Sequence, residues 1–104
     1  MSEGETIIVR LPEDATIRHA ESIAEQLKSA LATGQTIEVD CSAVIEADSS
    51  VLQLLIAARK SAAAAARALI LGAPAAGALR AAIIECGLAG GSLAAFWSEG
   101  RAAQ

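Results

Sequence analysis

The chain has 104 residues, a formal net charge of -4 and two cysteines. This length is typical of a single domain, predicted to span residues 1–104. Nucleic acid is not an expected partner, because an acidic protein repels a phosphate backbone and the eight basic residues form no cluster. Cys41 and Cys86 lie far apart, which favours a reducing compartment over a disulfide-stabilised secreted domain.

The hydrophobic fraction of 54% suggests a membrane protein at first sight, but alanine fills 26 of the 104 positions. The longest uncharged run, 86–98, has 13 residues including three glycines, whereas a membrane-spanning helix needs about 20 apolar residues. Residues 1–5 are acidic and polar, unlike the basic start of a signal peptide. We therefore expect a cytoplasmic protein without membrane insertion.

The first third of the chain predicts a strand followed by a helix. Residues 6–11 are β-branched and apolar before Pro12, as in a strand. Residues 15–17 are expected to form a short second strand that closes a hairpin back onto the first. The apolar positions of 18–32 recur with helical spacing, and Gly34 suits the left-handed position after a helix.

The middle of the chain predicts a strand, a loop and a long helix. Residues 35–40 alternate apolar and polar side chains, and 42–48 form the loop to the next helix. Residues 49 to about 66 are rich in leucine and alanine, so this helix should be the most buried. Asp48 or Ser49 suits its N-cap.

The last third begins with a short apolar strand, 68–71, bounded by Arg67 and Gly72. Pro74 is expected to open a helix that Gly87 ends, with Leu88 packing back on the last turn. Residues 89–104 are less determined and either dock as a final helix or stay mobile. Strands that alternate with helices at this spacing predict an α/β fold with a central sheet.

The chemistry expected of an enzyme is missing from the residue inventory. His19 is the one histidine, tyrosine is absent, and neither cysteine has metal-ligand spacing. The glycine-containing stretch 72–77 lacks the lysine of a phosphate-binding loop. A metal site of Asp40, Glu46 and Asp48 could serve phosphorylation on aspartate, as in a receiver domain. That chemistry needs a lysine close to the acyl phosphate, and no lysine falls at the end of a later strand. We therefore predict no catalytic residue, no metal and no cofactor.

A cluster of polar side chains remains between a strand end and a helix start. Residues 40–50, here called the acidic rim, contain three carboxylates and three hydroxyls, from Asp40, Glu46, Asp48, Ser42, Ser49 and Ser50. Sites in α/β sheets usually lie at the carboxyl ends of strands, although capping and loop solubility would also explain these residues. A phosphate on Ser49 would be tolerated at a helix N-terminus, and its charge would disrupt a docked partner.

The residues of the rim and of the elements around it resemble the STAS domain family. The resemblance covers about residues 6–88 and is carried by six segments in this order: Val39-Asp40-Cys41-Ser42-Ala43-Val44, Asp48-Ser49-Ser50, Leu52-Gln53-Leu54-Leu55, Leu69-Ile70-Leu71-Gly72, Ala78-Leu79-Arg80 and Cys86-Gly87-Leu88. It implies a single domain with a four- or five-stranded mixed sheet packed against helices, and no catalytic activity.

The resemblance also implies a function for the rim. In anti-sigma-factor antagonists the hydroxyl residue after the motif aspartate, here Ser49, is phosphorylated by a serine kinase that is also the anti-sigma factor. The implied partner surface comprises Asp40, Ser42, Glu46, Asp48, Ser50, Val51 and Gln53. Val51 stands where the family often has glycine, and its side chain is expected to hinder close approach of a kinase.

Two functions follow from this resemblance. The first is bacterial partner switching, in which phosphorylation of Ser49 controls binding to a kinase or to a chemotaxis signalling protein. The second is a constitutive accessory subunit of an ABC-type lipid transporter, bound to its ATPase. The compact N-terminus and the many alanines are similar to STAS proteins of lipid-transport and chemotaxis systems.

Overall fold

A computed structural model describes residues 6–33 and 36–98. Within these ranges, five strands and four α-helices are interspersed along the chain as expected of an α/β domain. The strands are β1 (Thr6–Arg10), β2 (Asp14–Ala15), β3 (Thr36–Asp40), β4 (Glu46–Ala47) and β5 (Ala68–Leu71). The helices are α1 (Ala20–Thr33), α2 (Ser49–Ala64), α3 (Gly77–Glu85) and α4 (Ala94–Ser98), with 3₁₀ turns at Ile17–His19 and Gly91–Leu93.

The core lies between a three-stranded sheet and the helices. The order β1-β3-β5 is parallel throughout, and the register aligns Val9, Val39 and Leu71 in one row. These three residues are buried, whereas Ile8 on the opposite face of β1 is exposed. Burial of alternate residues follows from the two-residue period of a strand. The predicted fold class is confirmed and the strand count is close to the predicted one, with the described strands divided between a three-stranded and a two-stranded sheet whose pairings are parallel.

The short strands β2 and β4 form a second parallel sheet, in which Asp14 pairs with Glu46 and Ala15 with Ala47. The expected hairpin between residues 15–17 and β1 is therefore wrong. Glu13 O accepts from the N–H groups of Ile45 and Glu46, at 2.9 and 3.0 Å. These bonds hold the N-terminal segment against the acidic rim, where the sequence indicated only a loop.

Helix α2 is the best buried, with Val51, Leu52, Leu55, Ala58 and Ala62 in the core. It ends at Ala64, and Ala66 takes a φ of 60° while Arg67 N–H donates to Ala62 O at 2.8 Å. The Gly34 prediction lies outside the described residues. None of the helices in the described ranges is long and apolar enough to cross a membrane.

Helix α3 begins at Gly77, three residues after the expected start at Pro74. The delay has a tertiary cause, because Ala75 is buried and its N–H donates to Trp97 O in α4 at 2.8 Å. This contact holds the preceding loop extended. The predicted stop at Gly87 is confirmed: Gly87 has a φ of 73°, and Leu88 N–H returns to Ile83 O at 3.0 Å.

Residues 94–98 dock as a helix, one of the two outcomes left open by the sequence for 89–104, and residues 99–104 lie outside the described residues. Trp97 is 2% exposed, and its indole Nε1–H donates to Leu88 O at 2.9 Å. The ring of Phe96 lies 4.7 Å from that of Trp97, and the Arg59 guanidinium lies 5.4 Å from the Phe96 ring centre. Helix α4 is therefore anchored to both α2 and the end of α3.

Candidate functional site

The acidic rim is organised by the carboxylate of Asp48, which is the N-cap of α2. Its Oδ1 accepts from the backbone N–H groups of Ser50 and Val51 at 3.0 and 3.4 Å. Its Oδ2 accepts from the N–H of Ile17 at 3.0 Å. Asp48 therefore satisfies N–H groups at the start of two helical segments, and its oxygens are directed at the protein rather than at solvent.

Ser49 is the first residue of α2, and its side chain is exposed. The bonds from the N–H groups of Ser50 and Val51 to Asp48 fix the backbone after Ser49. The bond from the Ile17 N–H holds the Asp48 side chain before it. Ser50 is half-buried, and its N–H is committed to the cap. A rigid, accessible hydroxyl at the positive end of a 16-residue helix can accept a phosphoryl group without losing an existing bond.

Asp40 and Ser42 form a second structured part of the rim at the end of β3. Ser42 N–H donates to Asp40 Oδ1 at 3.0 Å, and Arg10 Nε lies 3.5 Å from Asp40 Oδ2. The hydrogen bonds from Ser42, helped by the charge of Arg10, lower the pKa of Asp40 below its usual 3.8. Asp40 is thus a persistent anion on the surface.

The remaining predicted partner residues divide into exposed and buried side chains. Glu46 on β4 and Gln53 on α2 are exposed, so both are available for contact. Val51 has an exposure of 0% and belongs to the core. Its assignment to the partner surface is wrong, and it cannot hinder an approaching kinase. Position 51 takes an apolar residue because it is buried in the core.

Two exposed isoleucines, Ile45 within the rim and Ile17 next to it, were missed by the sequence analysis. Ile45 is 69% exposed and Ile17 is 67% exposed, the highest values among the large hydrophobic residues described. The N–H of Ile17 donates to the carboxylate of Asp48, the residue before Ser49, so the backbone of Ile17 lies at the start of α2. The signal available in the sequence was an isoleucine directly before a charged residue at both sites, Arg18 and Glu46.

A cleft of about 440 Å³ lies beside the rim, between the ends of β3 and β5 and the loop before α3. Glu38, Asp40 and Cys41 contribute polar groups to its wall. Burial, helped by the nearby Asp40 carboxylate, raises the pKa of Cys41 to about 12, so its thiol is protonated and unreactive at neutral pH. Both cysteines are free thiols.

His19 and the metal-ligating residue types are the remaining candidates for catalytic chemistry. His19 Nε2 lies 3.7 Å from Asp14 Oδ2, close to the same residue that pairs with Arg18. Among the described residues no three His, Cys, Asp or Glu side chains are grouped so as to hold a metal ion.

Comparison with known proteins agrees with this architecture. No curated protein matches the chain. The fold is similar to that of the Bacillus cell fate determinant SpoIIAA in its phosphorylated form, with a TM-score of 0.64 and 23% identity over 85% of this chain and 80% of that one. It is also similar to a sulfate transporter family protein from Wolinella succinogenes, with a TM-score of 0.60 and 17% identity over 81% of this chain and 68% of that one. These identities support the fold alone.

A family model described as "Mlab, STAS domain" matches residues 1–95. The chain therefore belongs to the STAS domain family, whose members are generally non-enzymatic interaction modules.

Proposed function

We propose that this protein is a cytoplasmic partner-switching regulator whose binding is controlled by phosphorylation of Ser49. The observation that carries the proposal is the position of Ser49, an exposed hydroxyl at the start of α2 on a backbone fixed by Asp48. We assign Asp40, Ser42, Glu46, Asp48, Ser50 and Gln53 to the same partner surface.

A serine kinase would supply the chemistry. It transfers the γ-phosphoryl group of ATP to Ser49 Oγ, the hydroxyl proton is lost, and ADP leaves. The phosphate adds about -1.5 to -2 charges beside the acidic rim. A partner packed over Ser49 would then have to bury a hydrated dianion, so the complex dissociates while the domain stays folded.

The test is capture of partners from the native cell extract by the wild type and by Ser49→Asp, with intact-mass analysis of the recovered domain. We expect Ser49→Asp to lose a serine kinase or signalling partner and to keep its thermal midpoint. Ser22→Asp is the matched control, because Ser22 is also exposed and lies in the first turn of a helix. Retention of the partner by Ser49→Asp would count against the switch.

The second candidate is a constitutive accessory subunit of an ABC-type transporter, bound through the same rim to its ATPase. It is favoured by the "Mlab" description of the matching family model and by the structural similarity to a sulfate transporter family protein. This function predicts co-purification of an ATPase at fixed stoichiometry. Recovery of a kinase without an ATPase would exclude it.

A further inference from the structure

The two exposed isoleucines suggest how a partner would recognise the rim. Ile45 and Ile17 are fixed through their backbones, since Ile45 N–H donates to Glu13 O and Ile17 N–H donates to Asp48 Oδ2. A side chain on a fixed backbone loses less conformational entropy on binding than one on a mobile loop. Exposed, pre-positioned apolar groups are suited to act as anchors in an interface.

Among the described side chains, the two acidic ones bordering Ile45 have no basic partner, whereas the exposed Arg18 next to Ile17 is in an ion pair. Glu13 and Glu46 are exposed, and their backbones are joined by the bond from Glu46 N–H to Glu13 O. Within residues 6–33 and 36–98, neither of their carboxylates forms an ion pair. Asp14, by contrast, is paired with Arg18. Two uncompensated carboxylates therefore border the backbone that presents Ile45.

We propose that Ile17 and Ile45, bordered by Glu13 and Glu46, form a docking surface for a protein partner that presents an apolar contact flanked by lysine or arginine. The proposal rests on the partner-binding role of the rim and names the chemistry of that partner. Charge complementarity selects this occupant. A second copy of the chain would oppose carboxylate to carboxylate, and an anionic membrane surface would repel the same groups.

The surface also connects the anchors to the switch. Ile17 is held directly to the cap residue that precedes Ser49. An apolar side chain of the partner packed on Ile17 must exclude water next to the Ser49 hydroxyl. A phosphate on Ser49 would stay hydrated and would therefore oppose this contact. Lysine or arginine of the partner would be drawn to Glu13 and Glu46 whether or not Ser49 is modified. The apolar anchors thus determine release, and the acidic border determines the rate and salt dependence of association.

The probe is an amphipathic helical peptide of leucine and lysine, titrated into the isotope-labelled full chain and followed by amide chemical shifts. We expect the largest shifts at Ile17, Ile45 and Ser49. The double variant Glu13→Gln/Glu46→Gln should weaken binding about threefold to tenfold and reduce its dependence on salt. The double variant Ile17→Ala/Ile45→Ala should weaken it at least about tenfold.

Matched controls test whether binding depends on this surface or on exposed apolar side chains and negative charge elsewhere on the protein. Glu21→Gln/Glu25→Gln removes the same charge from α1, and Ile8→Ala/Ile84→Ala removes two other exposed isoleucines. Both controls should change the affinity by less than about twofold. Equal weakening by the controls, or equal binding of a leucine and glutamate peptide, would overturn the proposal.

Further outcomes distinguish the rejected occupants and the proposed function itself. Self-association in sedimentation, or binding to phosphatidylglycerol vesicles, that is lost in Ile17→Ala/Ile45→Ala would replace the proposed partner with a second copy or a membrane. A captured partner released by Ser49→Asp but unaffected by changes at Ile17, Ile45, Glu13 and Glu46 would refute this surface and leave the switch intact. A captured partner that is retained by Ser49→Asp but released by changes at Ile17, Ile45, Glu13 and Glu46 would refute the switch and support the surface.

Discussion

The carboxylate of Asp48 bonds to the backbone of Ile17, a residue 31 positions earlier in the chain, at an Oδ2 to N distance of 3.0 Å. The same side chain caps α2 through Ser50 and Val51. Asp48→Ala should lower the free energy of unfolding by about 1.5–3 kcal/mol, because it removes the cap and leaves the Ile17 N–H without its acceptor. Urea denaturation measures this loss.

Asp48→Asn provides the graded control. Its amide oxygen can still cap α2, while its NH₂ group cannot accept from Ile17, so we expect about half of the alanine effect. Unfolding curves that coincide for Asp48→Ala and the wild type would show that the two helical starts do not depend on this carboxylate.

Trp97 should contribute strongly to stability although it lies near the chain end. Trp97→Phe removes the bond from Nε1 to Leu88 O and part of a side chain that is buried among core residues. We expect the unfolding free energy to fall by about 1–3 kcal/mol. Denaturation monitored by circular dichroism measures this loss. Ser98→Ala, which removes an exposed bond to Ala94 O, should stay within about 0.5 kcal/mol of the wild type. Equal behaviour of the two variants would mean that α4 is not docked in solution.

Ala66 occupies a left-handed conformation with a φ of 60°, which is strained for a residue with a Cβ. Ala66→Gly should therefore raise the thermal midpoint, with a gain of about 0.5–1 kcal/mol. Ala63→Gly, in the last turn of α2, should instead destabilise by a similar amount. A loss of stability in Ala66→Gly would contradict this account of the helix end.

The pKa of Asp40 is lowered in the folded protein, first by the Ser42 backbone N–H and then by the Ser42 side chain. Its carboxylate therefore stabilises the fold fully above the usual value of 3.8, and this contribution is lost as pH falls through the lower folded-state pKa. The stability difference between the wild type and Asp40→Asn should stay constant from about pH 7 to pH 5 and shrink below about pH 4. Ser42→Ala retains the backbone donor, so most of the pH dependence should remain. A difference that is independent of pH would argue against the bond.

Cys41 and Cys86 should differ in reactivity. With a pKa of about 12 and a half-buried side chain, Cys41 carries little thiolate at pH 8, whereas Cys86 is exposed. Iodoacetamide should add one group quickly and the second on the order of 100-fold more slowly, or only after unfolding in guanidinium. Intact mass with Cys41→Ala and Cys86→Ala assigns each step. Rapid modification of Cys41 would contradict its burial.

Local patterns in the sequence determined most of the secondary structure and the position of Ser49. β5 was predicted residue for residue, and β1, β3 and the start of α2 nearly so, because alternation of apolar residues and helix capping act over a few neighbouring positions. The aspartate, serine, serine order was enough to place a hydroxyl at a helix start. Each of these features depends on contacts between residues close in the chain.

Only the tertiary structure decided which residues share the surface around Ser49. The helix from 49 onward is apolar on several sides, so its spacing could not tell whether Val51 faces the core or a partner; the packing of α2 against β5, α1 and α3 decides it. The bond from Ala75 to Trp97 delayed α3, and the pairing of β2 with β4 brought Ile17 and Glu13 beside the rim. These contacts join residues more than 20 positions apart, and their free energy comes from packing and hydrogen bonds that no local pattern encodes.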